Sequence, residues 1–309
     1  MTQAATSFTL PPYRQIIAHV DTDRRAVWCY FNPLPRPTIT KVLLEDCRDL
    51  QNRVKIHLNL KDGDQTKLQY FVVASAVPHV YSLGGDLNLL AESIRKRDRD
   101  VLINYARLCI DCIFGNTTNL DVPELTTIAL VQGSALGGGF ETALSANVMI
   151  AERSASFGFP EILFNLFAGM GAYSLLARRI DIARADRIMR SGQQYTAEEL
   201  YDMGLVDVLA EDGEGVHAVN EYIRRANRSR NGLMAIQKVR QRLFPITYQE
   251  LEDIVGIWVD AALRLTERDL RTMERLVSAQ QKLARPAEPV VAPLQIQTEE
   301  RYMQVAGAA

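Results

Sequence analysis

Three consecutive glycines, Gly137, Gly138 and Gly139, stand with only Phe140 between them and a lone carboxylate, Glu141, in the otherwise apolar segment VQGSALGGGFETALSANVMIAE. Glycine loses more backbone entropy on ordering than any other residue, so such a triplet implies a need for close backbone approach. A helix starting there presents unpaired N–H groups and the positive end of its dipole, and the absent side chains admit an oxygen atom. A second pair, Gly84 and Gly85 in VYSLGGDL, follows an apolar run and offers further exposed N–H groups. Two such donors make an oxyanion hole, in which one correctly aimed hydrogen bond is worth roughly 10²–10³ in rate. Glu161 in FGFPEILF lies twenty positions after Glu141, where apolar neighbours would desolvate a carboxylate and raise its pKa. Two carboxyl groups in unlike surroundings can divide acid and base roles.

The same residues admit a plainer explanation. The glycines could pack a helix against a strand and both glutamates could cap helices, since FPEI has proline at a first helical position. The residues alone leave both readings open. Asp86 reads as a loop or helix cap. Other chemistries fit less well. The four histidines (His19, His57, His79 and His217) are dispersed, GSALGG is not the G-x-S-x-G elbow of a serine hydrolase, and GSALGGG is out of register with the dinucleotide-binding G-x-G-x-x-G. The C-x-x-C spacing of Cys109 and Cys112 falls in NYARLCIDCIF, where a helix would set both on one buried face without metal or redox duty.

The elements that must position these residues follow from periodicity. RQIIAHVD and RAVWCYFN read as strands joined at TDR, KLQYFVVASA as a buried strand ending near Pro78, and LTTIALVQG as another leading into the triplet. Between the last two, ESIRKRDRDVLINYARLCIDCIF reads as one charged helical stretch. GGGFETALSA reads as helix, NVMIAE as strand, and GAYSLLARRI and IARADRIMRS as helices, so strand and helix alternate as in an α/β fold with crossover connections. After GLVDVLA the pattern is helical throughout. The expected organisation is a flexible tail over 1–12, an α/β core over 13–212, an all-helical region over 213–285 that covers the pocket and supports oligomerisation, and a second tail over 286–309.

Composition sets outer bounds. With 309 residues, 47% hydrophobic and 23% charged, the chain can bury a substantial core, and a net charge of −2 gives no general bias toward nucleic acid or an anionic membrane. No run approaches the roughly 18 apolar residues of a membrane span, and MTQAATSFTLPPYRQ lacks both a basic start and an apolar core, so a cytoplasmic protein without membrane insertion is expected.

In order, spacing and chemistry, SLGGD, VQGSALGGGFE, FGFPEI and GMGAYSLLARRI resemble the crotonase (enoyl-CoA hydratase/isomerase) superfamily over roughly residues 12–285. The resemblance implies a fold of repeated ββα units in a spiral core. It implies a thioester oxygen held by the N–H groups of Gly85 and Gly138, and Glu141 and Glu161 as the catalytic pair that adds or removes water across C2–C3. No cofactor is implied beyond the acyl carrier protein or CoA that presents the substrate, and relatives are usually homotrimers or dimers of trimers.

A narrower likeness, carried by ALVQGSALGGGFETALS, PEILFNLFAGMGAYS, IWVDAALRL and LRTMERLVSAQ, is to the bacterial diffusible signal factor synthases. The chain also lacks the EGMxAFxEKR-like ending common in ordinary hydratases. This likeness implies synthesis of a cis-2-unsaturated fatty acid for quorum sensing, by dehydration of a 3-hydroxyacyl thioester on acyl carrier protein and hydrolysis to the free acid. It also implies a sensor histidine kinase as a regulatory partner and an acyl pocket walled by Leu136, Gly137, Met170, Trp258 and Leu276. Two alternatives compete: a conventional enoyl-CoA hydratase of fatty-acid metabolism, which leaves the thioester intact, and a non-catalytic crotonase-fold regulator.

Overall fold

The computed structural model describes residues 8–60 and 67–283. The chain opens with a hairpin of β1 (Ile16–Asp21) and β2 (Ala26–Phe31), then α1 (Lys41–Leu60), β3 (Tyr70–Ser75) and β4 (His79–Ser82). Helices α2 (Leu87–Lys96) and α3 (Arg99–Thr117) follow, then β5 (Thr126–Val131), β6 (Gly133–Leu136) and α4 (Gly138–Ser145). The third such unit is β7 (Val148–Glu152) and β8 (Ser156–Gly158), a 3-10 turn over Pro160–Phe164, α5 (Ala172–Ala177) and α6 (Ile182–Ser191). After β9 (Gln194–Thr196), α7 (Ala197–Asp202) and β10 (Val208–Ala210) come four helices, α8 (Gly215–Arg228), α9 (Arg230–Leu243), α10 (Tyr248–Ala262) and α11 (Glu267–Leu283).

Two sheets result. The larger has the order β1-β2-β3-β5-β7-β10 and the smaller β4-β6-β8-β9. Each ββα unit thus sends its first strand to the large sheet and its second to the small one, the spiral arrangement the crotonase resemblance implies. All pairings are parallel except β1–β2 and β8–β9, because a parallel return needs a long crossover and helices supply it here. Strands β2, β5 and β7 are buried along their whole length and β3 at every residue but its last, Ser75, which is why they read as unbroken apolar runs rather than alternating ones.

One face of the large sheet packs on α1 and α4 in the main core, which α3, α10 and α11 complete; on the other, α8 with Val219 and Ile223 covers β5, β7 and β10, in a cluster that also holds Trp28, Tyr30, Tyr70 and Val72. Cys109 and Cys112 share the buried face of α3, and all four cysteines are free and buried. No described helix is long and apolar enough to cross a membrane.

Four features go beyond the expected elements. The charged stretch is two helices, because Arg97 adopts a left-handed conformation (φ +53°) and Asp98 begins α3 by accepting the Val101 N–H at 3.1 Å. Helix α1, whose buried Leu43, Cys47, Leu50, Val54 and Leu58 recur at helical spacing, is not among the expected elements, nor are the short strands β4, β6, β8 and β9, which show no period of their own. Within the expected N-terminal tail, Phe8 and Leu10 lie against the core and Phe8 stacks on His57 with ring centroids 4.3 Å apart; residues 1–7 lie outside the described part, as do 284–309 at the other end. The helical region shares the core of the α/β part, with α10 packed on α3 and α11 on α2.

Leu251 of α10 is fully buried in that shared core. Leu251→Ala should cost about 2–5 kcal/mol of unfolding free energy, measured as a lower urea midpoint at unchanged slope; a neutral result would mean that α10 does not share the cooperative core.

Candidate active site

The small sheet sets the location. Strands β4, β6 and β8 run parallel as neighbours, so the segments that leave their C-terminal ends emerge at one edge. These segments are Gly84–Gly85 after β4, Gly137–Glu141 after β6 and Pro160–Glu161 after β8. Residues 19 to 77 positions apart in sequence are thereby brought together by strand order alone.

Each glycine of the triplet has its own reason. Gly137 turns the chain out of β6 at φ +51°, and a Cβ there would come within 2.2 Å of Glu161 Oε1. A Cβ on Gly139 would meet the Ser82 carbonyl oxygen of β4 at 2.6 Å, so this glycine lets helix and strand approach. Gly138 is the first residue of α4, where an N–H has no partner within the helix. A Cβ on Gly138 would stand 3.7 Å from the Gly85 nitrogen and 3.8 Å from Glu141 Oε2. Neither the Gly85 nor the Gly138 N–H donates to an acceptor among the described residues. Both the packing and the exposed-donor explanations of the triplet therefore hold, at different glycines.

Glu141 points inward from the first turn of α4 and is 2% exposed. Its Oε1 accepts the backbone N–H of Met170 at 2.8 Å and of Ala172 at 3.0 Å. Gly171 between them has φ +126°, a conformation only glycine adopts readily, and this bend aims both N–H groups at one oxygen. Burial raises the Glu141 pKa to about 7 even though those two donors pull it down.

Glu161 rides on the 3-10 turn started by Pro160. The residue as a whole is half-buried, but its Oε2 is enclosed and has no hydrogen-bond partner among the described residues. Desolvation first, and the nearby Glu141 charge second, raise its pKa to about 8. The Glu141 charge acts on Glu161, and between about pH 7 and 8 the pair holds about one proton between them.

A cavity of about 60 Å³ joins these groups. Of the residues expected to act together, Gly85, Gly138, Glu141, Glu161, Met170 and Trp258 all line it. Gly137 is not among its lining residues, although a Cβ there would meet Glu161, which is. Leu136 and Leu276 do not line it. Leu136 ends β6 with its side chain packed on Val80 and Leu83, and Leu276 is a half-buried part of the α11 packing. Asp86 caps α2 by accepting the Asn88 and Leu89 N–H groups. Ile39, Tyr105, Cys109 and Phe167 are wall residues that the motifs do not point to. Tyr105 and Cys109 are four apart on one face of α3, so the helical periodicity that marks them as core would also have marked the wall.

The raised Glu161 pKa has a consequence for stability. The folded state binds this proton more tightly than the unfolded chain, so the contribution is full below the ordinary carboxylate pKa and is lost as pH rises through about 8. Glu161→Gln stays neutral and should melt several degrees higher than the unaltered protein at pH 8–9, with no gain at pH 4; equal differences at both pH values would contradict a buried, proton-holding Glu161.

Known proteins give an independent comparison. The enoyl-CoA hydratase/isomerase family model matches residues 52–245. Cyclohexa-1,5-dienecarbonyl-CoA hydratase of Thauera aromatica is 34% identical over 143 residues, 46% of this chain and 54% of that protein. The fatty acid oxidation complex subunit alpha of Pseudomonas aeruginosa is 28% identical over 155 residues, 50% of this chain. The matched segment spans only 21% of the length of that subunit. The solved structure of Pseudomonas aeruginosa DspI superposes with a TM-score of 0.63 at 23% identity, covering 89% of this chain and 98% of that one, a likeness of fold. With the family model matched over more than half its length, and with its strands laid out in the same spiral, the chain belongs to the enoyl-CoA hydratase/isomerase (crotonase) family.

Proposed function

We propose that the protein makes a cis-2-unsaturated fatty acid of the diffusible signal factor type from a 3-hydroxyacyl thioester carried by acyl carrier protein. The observation that carries this reading is the meeting of two buried carboxyl groups and two unengaged backbone N–H groups around one largely apolar cavity.

The thioester oxygen lies between the N–H groups of Gly85 and Gly138, which stabilise the negative charge that develops as the enolate forms. A carboxylate takes the C2 proton while a carboxyl donates to the 3-hydroxyl. The C3–O bond breaks, the C2–C3 double bond forms, and water leaves. One proton shared by the pair is the protonation state this elimination requires. For the second step a carboxylate activates water, the C1–O bond forms, and the same two donors hold the tetrahedral oxyanion. The C1–S bond then breaks and the leaving thiol takes a proton from the carboxyl. Met170 and Trp258 offer the soft and broad apolar contact that suits an alkyl tail.

A conventional hydratase is the second reading, favoured by the hydratase names among the relatives. The products separate the two. After incubation with 3-hydroxydodecanoyl acyl carrier protein, mass spectrometry should find free dodecenoic acid, and Glu141→Gln and Glu161→Gln should each lower its rate by about 10²–10⁴. Enoyl thioester without free acid would establish the hydratase reading instead, and full activity in both variants would remove the catalytic one.

The rate should also follow a bell in pH. Below about 7 both carboxyls are protonated and no base remains; above about 8 both are ionised and no acid remains. Initial rates from pH 5 to 10 test this, and an alkaline limb that survives unchanged in Glu161→Gln would contradict the shared-proton assignment.

A further inference from the structure

The reading of Gly85 as an oxyanion donor raises the question of what aims its N–H. The Gly84 carbonyl and the Gly85 N–H belong to one planar peptide unit and point in opposite directions. Whatever holds the carbonyl therefore sets the direction of the N–H. The Ile39 N–H holds it, donating to Gly84 O at 2.8 Å. Ile39 is held in turn by Tyr105, whose hydroxyl donates to Ile39 O at 2.6 Å. The same hydroxyl accepts the N–H of Asp86, the residue after Gly85, at 3.0 Å.

Tyr105 thus ties both flanks of Gly85 with one oxygen. It reaches the preceding carbonyl through Ile39 and the following N–H directly, and the Gly85 N–H between them is left without an acceptor among the described residues. The fit is close: a Cβ on Gly85 would lie 3.2 Å from the Tyr105 oxygen. Tyr105 is 5% exposed on α3, and its ring is fixed in the main core among buried helical neighbours. A buried hydroxyl that donates once and accepts once toward fixed backbone groups has little freedom to shift.

We propose that Tyr105 is a positioning residue for the oxyanion site, fixing the plane of the Gly84–Gly85 peptide and so the aim of the Gly85 N–H. It does not touch the reacting atoms. This inference rests on the oxyanion reading of Gly85 and Gly138, and the test separates a failure of that reading from a failure of the Tyr105 assignment.

The variant is Tyr105→Phe, which keeps the ring and removes both hydrogen bonds. The probe is a ketone analogue of the dodecanoyl thioester, with a methylene in place of sulfur and a 13C-labelled carbonyl, which can be neither dehydrated nor hydrolysed. Two aimed donors polarise this carbonyl and lower its infrared stretching frequency on binding. Band position is a property of each bound molecule, so partial unfolding would weaken the band without moving it. In the unaltered protein the band is expected to move to lower frequency, and in Tyr105→Phe a substantial part of that shift is expected to disappear. Turnover should fall about tenfold or more, in keeping with the sensitivity of catalysis to small misplacements, while KM changes less than about twofold.

Tyr81→Phe is the control, since the Tyr81 hydroxyl is buried without a hydrogen-bond partner among the described residues and does not line the cavity; it should change neither band nor turnover. No shift in the unaltered protein would overturn the oxyanion reading itself. A full shift retained in Tyr105→Phe would overturn the positioning role alone. Amide hydrogen exchange in the unaltered protein supplies a measurement that needs no variant: the Asp86 N–H should be strongly protected before any ligand is added, and an unprotected Asp86 N–H would mean that the clamp is not formed.

Discussion

The structure depends on keeping two carboxyl groups dry at a place where backbone N–H groups are left unengaged. Both conditions work against stability, since a desolvated carboxylate and an unpaired donor each cost free energy. The fold meets them locally with backbone rather than side chains. Glu141 is solvated by two N–H groups from the bend at Gly171, and Glu161 is accommodated by the missing side chain of Gly137. No described lysine or arginine forms an ion pair with either carboxyl. A cation there would lower both pKa values and remove the shared proton, so backbone donors and plain desolvation leave the pair able to exchange protons near neutrality.

The spiral of ββα units makes this arrangement possible at modest entropic cost. Because β4, β6 and β8 are parallel neighbours, three distant segments end side by side without any long loop spanning between them. The large sheet, buried on both faces, supplies the rigidity, and the small sheet supplies the edge. Ile39 extends this logic beyond the strands: its bridge to Gly85 acts as a one-residue strand added at the point where the chain leaves β4.

How much of this was legible follows from which residues the backbone constrains. GGG before Glu141 and the proline before Glu161 could be read because few residue types tolerate those positions. The core strands could be read because burial on both faces writes a continuous apolar run. Strands β4, β6 and β8, with three or four residues each, are too short to show a period, so the edge that gathers the site was invisible although the residues on it were not. Leu136 shows the limit of reading a neighbour of a motif as part of its pocket. Side chains alternate across a strand, and the last position of β6 faces Val80 and Leu83, away from the cavity. Tyr105 was hidden for the opposite reason: on the apolar face of α3 it looks like any core aromatic, and only its hydrogen bonds distinguish it.

The C-terminal helices finish the argument about dryness. Trp258 of α10 lies on the backbone of Gly169, where a Cβ would come within 2.3 Å of its ring, and Leu251 of the same helix would meet a Cβ on Gly171 at 3.2 Å. These contacts flank Met170, whose N–H, with that of Ala172, solvates the Glu141 carboxylate. One helix therefore covers the cavity and presses the loop that stabilises the buried charge into place. The two effects cannot be tuned independently: loosening α10 would admit water to the carboxyl pair and at the same moment release the donors that hold Glu141. A helical region that looks in sequence like an appended cover is thus part of the electrostatics of the pair.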